Sequence, residues 1–286
     1  MVTILINKKI DGVENVKYVV KKNTHIRLNL SNINQNLIIK MYYIREILRI
    51  GSDHKQCEDS TFRMVLDDYV FMAIFDGCSG GVDSHFASSL FKKILRKVIE
   101  ESLVFKGSPE EICKIVLNKF FISLIAIKNI LTLNLDEILS TIVFSITDFS
   151  TRMSFVVISG DGAYMVNDEL YEVDQNNQPD YIAYHLNETF EKVWNTFYIM
   201  NHENVEDISV MSDGIFTFKN EGLISLEEPM NSLLREQKIL KSKAMLPRLC
   251  NILDKKGYYH YDDLSIVRLI FIEDNIEPKA IIIDKT

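Results

Sequence analysis

The chain has 286 residues, of which 47% are hydrophobic and 25% are charged. These proportions are ordinary for a soluble globular protein and exclude intrinsic disorder, which combines low hydrophobicity with high charge. The 32 basic and 40 acidic residues give a formal net charge of −8. Because non-specific nucleic-acid binding needs a basic surface, this charge argues against a nucleic-acid partner.

The sequence also argues against a membrane-spanning or secreted protein. Its most hydrophobic stretch, residues 120–146, is interrupted by Lys, Asn, Asp and Glu residues, so it falls short of the roughly 18 apolar residues that indicate a membrane span. The N-terminal residues do not have the pattern of a secretory signal. No pair of cysteines has the spacing of a zinc site or suggests a disulfide framework, the four being Cys57, Cys78, Cys113 and Cys250. We therefore expect a cytoplasmic protein without a membrane partner.

The first 40 residues contain short β-rich pieces separated by charged turns or turns with Asn and Ser, namely VTILI, VKYVV, IRLNL and NLIIKMYY. This pattern predicts a β-rich N-terminal extension over residues 1–40. The extension is either a small appendage or a set of additional strands of the main sheet, and the sequence leaves both open.

A strand-to-helix pattern follows the extension. Residues 42–50 and 63–76 are predicted strands, and the second ends in the apolar run VFMAIF, which is typical of a strand covered on both faces. Apolar residues at helical spacing predict an amphipathic helix over 84–102. Ser108 is a suitable N-cap and Pro109 a suitable first residue for a second helix, which is predicted to end at about residue 131.

Strands dominate the second half of the chain. Residues 139–148 and 151–159 predict a strand pair that ends at a Gly-Asp-Gly corner, and 262–272 predict a strong closing strand. The pattern that precedes this closing strand predicts a helix over 231–255. Strands, two helices, strands, one helix and a strand are typical of a layered α+β domain and not of a regular βαβ array.

Acidic residues lie at the ends of these predicted strands. Glu58 and Asp59 precede one strand, Asp76, Asp161 and Asp213 each end a strand and are followed by glycine, and Asp262 and Asp263 open the last strand. Mg²⁺ and Mn²⁺ prefer such oxygen ligands, and clustered carboxylates are costly to bury without a cation. A simpler interpretation is that Asp-Gly is a turn dipeptide. The spacing alone leaves a metal site and a set of turns equally open.

Five motifs in these segments resemble, in order, those of the metal-dependent protein phosphatase 2C family, in its prokaryotic branch. GSDHKQCEDS is similar to the first motif of the family, which ends in Glu-Asp, and VFMAIFDGCSGG resembles its FDGHGG segment. VVISGDGAYMV is similar to its GDSRA strand, DISVMSDGIFTF to its LASDGLWD strand, and DDLSIVRLIF to its DNxT motif with the final strand. Each motif is short, and together they cover residues 51–271. The resemblance implies a phosphatase 2C-like domain over 41–273, followed by a tail or extra strand at 274–286.

The implied fold is α+β, with two packed antiparallel β-sheets flanked by helix pairs. The implied activity is hydrolysis of phosphoserine and phosphothreonine monoesters on proteins, by a water that lies between two Mg²⁺ or Mn²⁺ ions and attacks phosphorus. A third ion is a further option in such enzymes. Carried over by position, the implied metal ligands are Asp76 as the bridging residue, the Gly77 carbonyl, Asp213 and Asp262, with Glu58 and Asp59 close by and Asp161 for the third ion.

The chain departs from the family pattern at four positions. His54 stands where the family has its phosphate-binding arginine, and Cys78 stands where it has the histidine that serves as general acid. Asp263 replaces an asparagine and Gly162 a serine. No metal ligand is lost, so the departures concern substrate binding and leaving-group protonation. His54 is a candidate catalytic residue together with Asp76, because an unperturbed imidazole titrates near neutral pH; a surface loop histidine is the alternative.

Other phosphatase and hydrolase classes fit less well. The chain lacks the second aspartate of a haloacid-dehalogenase motif at position 78, the Gly-Lys-Ser/Thr ending of a P-loop, and a GxSxG elbow. Two alternatives stay open: a catalytically weak regulatory binding module with the phosphatase fold, and a phosphatase of small phosphorylated molecules. The expected partner is a phosphorylated protein substrate, either a partner serine/threonine kinase or a target of that kinase.

Overall fold

The computed structural model describes residues 2–10, 13–20, 37–102, 106–176 and 178–276, with side chains described between 42 and 272. The described residues form fifteen strands and five α-helices. The strands are β1 (Val2–Ile10), β2 (Val13–Val20), β3 (Leu37–Arg49), β4 (Asp59–Leu66), β5 (Tyr69–Asp76), β6 (Ile142–Asp148), β7 (Ser154–Ser159), β8 (Gly162–Val166), β9 (Glu169–Val173), β10 (Tyr198–His202), β11 (Asp207–Met211), β12 (Phe218–Asn220), β13 (Leu223–Ile224), β14 (Tyr258–His260) and β15 (Leu264–Ile276). The α-helices are α1 (Ser84–Glu101), α2 (Pro109–Leu131), α3 (Phe190–Trp194), α4 (Glu227–Met230) and α5 (Met245–Lys255).

Arg45–Arg268 form one compact unit, and the described residues before and after this range form a second. In the smaller unit, β1 and β2 make an antiparallel pair with Val2 opposite Val20. Both strands fall within the first 40 residues, for which a β-rich character is predicted. The predicted piece IRLNL, at residues 26–30, lies outside the described residues.

Ten of the strands form two five-stranded sheets. The first sheet has the order β10-β7-β6-β5-β4 and the second the order β3-β15-β11-β8-β9. Neighbouring strands of the first sheet are antiparallel. The sheets pack face to face through contacts of β11 with β5 and β6 and of β8 with β6. A separate three-stranded sheet has the order β13-β12-β14.

Helices flank both sheets, which confirms the predicted four-layer α+β sandwich; beside the second sheet, Arg49 of β3 donates to Cys250 Sγ (2.7 Å) and Asp254 Oδ2 (3.0 Å) of α5. Helices α1 and α2 pack on the first sheet and on each other. Helix α2 begins with the predicted signals: the Ser108 hydroxyl accepts a hydrogen bond from Glu111 N (3.2 Å), and the Glu111 carboxylate accepts one from Ser108 N (2.8 Å). Phe75, Phe91 and Phe120 join α1 and α2 to the sheet through edge-to-face ring contacts.

The hairpin of β4 and β5 determines where two of the candidate ligands lie. Its pairing runs from Leu66 opposite Tyr69, next to the turn, to Asp59 opposite Asp76 at the open end. Seven of the eight β5 residues are buried, as expected for a strand covered on both faces. Asp59 and Asp76 are therefore cross-strand neighbours, although 17 residues separate them in sequence.

The single helix predicted over 231–255 is wrong. A short π-helix spans Asn231–Arg235, and α5 begins only at Met245. One reason is local, because Pro247 in the first turn of α5 cannot continue a helix from the residues before it. The other is tertiary: the buried Arg268 guanidinium donates to the carbonyls of Leu233 and Glu236 (both 3.1 Å), and Arg45 donates to the carbonyl of Leu240. These carbonyls accept hydrogen bonds from distant arginines instead of from the next helical turn.

Candidate metal centre

The two packed sheets bring the predicted acids to one end of the sandwich. Asp76 ends β5, Asp213 begins a 3₁₀ turn (Asp213–Thr217) directly after β11, and Asp262 lies two residues before β15. The charges of Asp59, Asp213 and Asp262 all act on Asp76, in addition to its burial. Strands from both sheets therefore contribute to one acidic cluster, which we define as Glu58, Asp59, Asp76, Asp213 and Asp262.

Burial makes this cluster electrostatically unfavourable without a cation. Asp59 is 4% exposed. Burial, together with the charges of Asp263 and Asp213, raises the pKa of Asp59 to about 8. The nearby hydroxyls of Ser265 and Ser212 lower this pKa, but by less than burial raises it. Burial also raises the pKa of Asp76 well above its usual range. Burial, followed by the charge of Asp262, raises the pKa of Asp213 to about 6. Protons and a divalent cation would therefore compete for these oxygens.

Several carboxylate oxygens of the cluster are buried without a hydrogen-bond partner. They are Oε2 of Glu58, both oxygens of Asp59 and Oδ1 of Asp213. Buried polar atoms are normally satisfied, and a hard divalent cation satisfies several carboxylates at once. The donor set therefore fits Mg²⁺ or Mn²⁺, although no three acidic, histidine or cysteine side chains in the described part of the chain already converge in coordination geometry.

Glycines allow the close backbone approaches around the cluster. A Cβ on Gly77 would lie 2.1 Å from the carbonyl oxygen of Ser84, and a Cβ on Gly214 would lie 1.8 Å from that of Asp263. Gly77 N also donates to the Glu58 carbonyl (3.2 Å). At both positions glycine follows a predicted ligand because the chain passes too close for any side chain.

Asp161, the residue predicted for a third ion, lies at the edge of the cluster. It occupies the corner between β7 and β8, and its carboxylate accepts a hydrogen bond from Gln175 N (2.8 Å). Burial raises the pKa of Asp161, and its charge raises the pKa of Asp213. It is near enough to act on the cluster electrostatically, but it already has a partner of its own.

His54 is held between two consecutive carboxylates in the loop that precedes β15. Its Nε2 lies 3.4 Å from Asp262 Oδ1 and its Nδ1 lies 3.1 Å from Asp263 Oδ2. Burial lowers the pKa of His54, but the charges of Asp263, Asp262 and Glu58 outweigh it, so the pKa is raised overall. The imidazole therefore belongs to the cluster and is not a loop residue exposed on the surface.

Two further residues organise the site without having been predicted to do so. Asp263 is 2% exposed, and its carboxylate accepts hydrogen bonds from Gly51 N (2.7 Å) and Glu58 N (2.5 Å). The Ser84 hydroxyl donates to Glu58 Oε1 (2.5 Å). The sequence marks Asp263 as one of the acids at strand ends and as a departure at a motif position, but not as the residue that closes the loop. It gives no signal for Ser84, because the partner is 26 residues away.

The two cysteines near the cluster differ in their surroundings. Burial, followed by the charge of Asp263, raises the pKa of Cys57 to about 12, so this thiol stays protonated at neutral pH, in line with a packing role. Cys78 is half-buried and packs against the hydrophobic core, and its N–H donates to the Leu139 carbonyl (3.0 Å).

In the described part of the chain, no helix is both long and apolar enough to cross a membrane.

The comparisons with known proteins place these features in context. A family model described as protein phosphatase 2C matches residues 51–263. The phosphatase domain of SpoIIE from Bacillus subtilis, with a fragment of its regulatory domain, matches with 19% identity and a TM-score of 0.55 over 83% of this chain. This chain covers 64% of that one, less than two thirds of its length.

Two structures of bacterial serine phosphatase also match. One, a variant form, has 13% identity and a TM-score of 0.59, covering 80% of this chain and 98% of its own. The other has 11% identity and a TM-score of 0.56, covering 82% and 99%. At these identities the likeness shows the fold alone. No curated protein matches this sequence.

Proposed function

The chain belongs to the protein phosphatase 2C family, and from this premise we propose that it is a metal-dependent phosphatase of phosphoserine and phosphothreonine residues on proteins. The observation that carries the proposal is the set of buried carboxylate oxygens without hydrogen-bond partners, on Glu58, Asp59 and Asp213. The likeness to structures of bacterial serine phosphatase supports the choice of substrate class. A cytoplasmic location and a partner kinase that phosphorylates the same targets complete the proposal.

The residues that would hold two Mg²⁺ or Mn²⁺ ions are Asp76, the Gly77 carbonyl, Asp213 and Asp262, with Glu58 and Asp59 beside them and Asp161 available for a third ion. When bound, these ions supply an activated water and neutralise charge on the phosphoryl oxygens. The protein's part would be to hold the carboxylates in place, and their positions at or within two residues of strand ends in both sheets support this. A fixed arrangement of this kind stabilises developing charge without reorganisation during the reaction.

Two features of the chain bear on the leaving group and the substrate. Position 78 is a cysteine, so no imidazole follows Asp76-Gly77 to protonate the departing serine oxygen. We therefore assign that proton to solvent water. In its described residues, the segment between Asp161 and Asp213 consists of short helical turns and short strands, which supports a site open to a protein substrate with little peptide selectivity.

Hydrolysis of p-nitrophenyl phosphate with Mn²⁺ tests the proposal. We expect activity that requires Mn²⁺ and falls at least about 100-fold in Asp76→Asn and Asp213→Asn, since removal of metal-centred charge stabilisation costs several kcal/mol. Asp67→Asn is a matched control, because Asp67 is exposed at the turn of the β4–β5 hairpin, opposite the open end, and its φ of 51° suits asparagine.

A panel of phosphorylated peptides and small phosphorylated molecules then identifies the substrate class. Phosphoserine or phosphothreonine peptides should have the higher kcat/KM. A preference for small molecules would overturn the protein-substrate part of the proposal. Mn²⁺ binding by calorimetry without hydrolysis above the Asp76→Asn variant would overturn the enzymatic part and favour a regulatory binding module.

A further inference from the structure

The loop over residues 51–58 is closed by one buried carboxylate. Asp263 Oδ1 accepts a hydrogen bond from Gly51 N at the start of the loop, and Oδ2 accepts one from Glu58 N at its end. The two donors lie 212 and 205 residues away from Asp263 in sequence. The conformation of the loop, and with it the position of Glu58, therefore depends on a residue near the other end of the chain.

His54 lies inside this loop and turns both ring nitrogens towards carboxylates. Nδ1 lies 3.1 Å from Asp263 Oδ2, and Nε2 lies 3.4 Å from Asp262 Oδ1. His54 N also donates to the Gly51 carbonyl (3.2 Å), which fixes the backbone that carries the ring. Nδ1 is buried beside Asp263 without a hydrogen bond of good geometry, and Nε2 lies beside Asp262. Both nitrogens therefore face negative charge, which disfavours the approach of a substrate phosphate.

We propose that His54 is a positioning residue, which with Asp263 fixes the metal ligands Glu58 and Asp262 instead of binding substrate. The inference rests on the proposed metal-dependent function. His54 acts on Asp262 directly, and it acts on Glu58 through Asp263 and the closed loop. Groups that orient ligands in this way are worth about 10- to 100-fold in metal affinity.

A positioning role and a phosphate-binding role for His54 predict different changes in metal affinity and KM when the residue is replaced. Loss of a positioning residue weakens metal binding and, at saturating metal, leaves KM for substrate nearly unchanged. Loss of a phosphate-binding residue raises KM and leaves metal affinity unchanged. The two roles are therefore separated by measuring the Mn²⁺ dissociation constant and KM on the same variants.

The experiment uses the full chain, with Mn²⁺ binding measured by calorimetry and p-nitrophenyl phosphate hydrolysis measured at saturating Mn²⁺. We expect His54→Ala to raise the Mn²⁺ dissociation constant at least about tenfold and to change KM less than about twofold. His54→Arg retains N–H donors for both carboxylates, and we expect it to restore most of the affinity. His185→Ala is the matched control, since His185 also pairs with two carboxylates, those of Asp180 and Glu188, outside the cluster.

A double-mutant cycle tests whether His54 and Asp263 act together. The combined His54→Ala and Asp263→Asn variant should lose less Mn²⁺ affinity than the product of the two single losses. Independent, multiplicative losses would overturn the proposal. So would an unchanged Mn²⁺ dissociation constant with a KM raised at least about fivefold in His54→Ala.

The outcomes also separate this inference from the proposed function. If the wild type binds Mn²⁺ but hydrolyses nothing, the proposed function fails, and the dissociation constants still decide the role of His54. If the wild type binds no Mn²⁺, both fail. Unfolding temperatures in EDTA report whether each variant is folded. If His54→Ala is not folded, His54→Gln decides, since it keeps one N–H donor: weaker Mn²⁺ binding with an unchanged KM supports the positioning role, and a raised KM with unchanged Mn²⁺ binding overturns it.

Discussion

The stability of the metal-free protein should fall as the pH rises, and Asp59 should account for much of the fall. The pKa of the Asp59 carboxyl is near its ordinary value of 3.8 in the unfolded chain, and burial raises this pKa to about 8 in the folded state. Between these values the folded protein binds the proton more tightly than the unfolded chain, so the free energy of unfolding decreases with increasing pH. The loss begins above about pH 4 and is complete above about pH 8.

The size of the effect follows from the difference between the two pKa values. A difference of about four units, at about 1.4 kcal/mol each, gives at most about 6 kcal/mol for Asp59 at about pH 8.5. Solvent screening reduces this little, because Asp59 is 4% exposed. Domains have total stabilities of about 5–15 kcal/mol, so the metal-free protein should lose a large share of its stability, equivalent to about 10–20 °C in unfolding temperature.

Thermal unfolding followed by circular dichroism, in EDTA and in Mn²⁺ between about pH 5 and 8.5, measures this effect. We expect a steep fall in EDTA, a shallower one in Asp59→Asn, and a wild-type slope in the Asp67→Asn control. Saturating Mn²⁺ should raise the unfolding temperature most at high pH, where the cation no longer competes with protons. Equal slopes for the wild type and Asp59→Asn in EDTA would refute the argument that Asp59 carries an unfavourable buried charge.

Three further predictions concern packing and the leaving group. Arg268→Ala should destabilise the protein by about 3–5 kcal/mol in urea unfolding, because it leaves the buried Asp207 carboxylate, which Arg268 Nη2 contacts at 2.6 Å, without a cationic partner. A loss of stability below about 1 kcal/mol would contradict this. Gly214→Ala should cost about 1–3 kcal/mol and lower Mn²⁺-dependent activity at least about tenfold, since the new Cβ would overlap the Asp263 carbonyl; unchanged activity would show that the backbone can move aside. Cys78→Ser should leave kcat for a phosphoserine peptide within about threefold, as expected if water protonates the leaving oxygen; a larger loss would identify Cys78 as the acid.

Local patterns in the sequence predicted the layers and most of the acidic cluster. The apolar run before Asp76, the Asp-Gly steps at Asp76 and Asp213, and the N-cap at Ser108 each depend on neighbours within a few residues. Such short-range signals predict the folded structure well, because the end of a strand or the start of a helix depends mainly on neighbouring residues. Their order along the chain then identified the family.

What the sequence did not predict depends on partners far apart in the chain. The helix predicted over 231–255 is interrupted in part because Arg45 and Arg268 take its carbonyls, and neither arginine lies within it. The role of Asp263 depends on amides 212 and 205 residues away. No periodicity or motif contains these contacts, since they exist only once the two sheets have packed.

The length of the turn between β4 and β5 determines whether Asp59 and Asp76 of the acidic cluster lie opposite each other. Asp59 faces Asp76 only because the two residues between Leu66 and Tyr69 set the register of every pair along the hairpin. Side chains alternate between the faces of a strand, so an offset of one residue would turn Asp59 away from its partner and towards the opposite face. An insertion or deletion in this surface turn, a full strand length from the acidic cluster, would therefore disturb the pairing of Asp59 with Asp76.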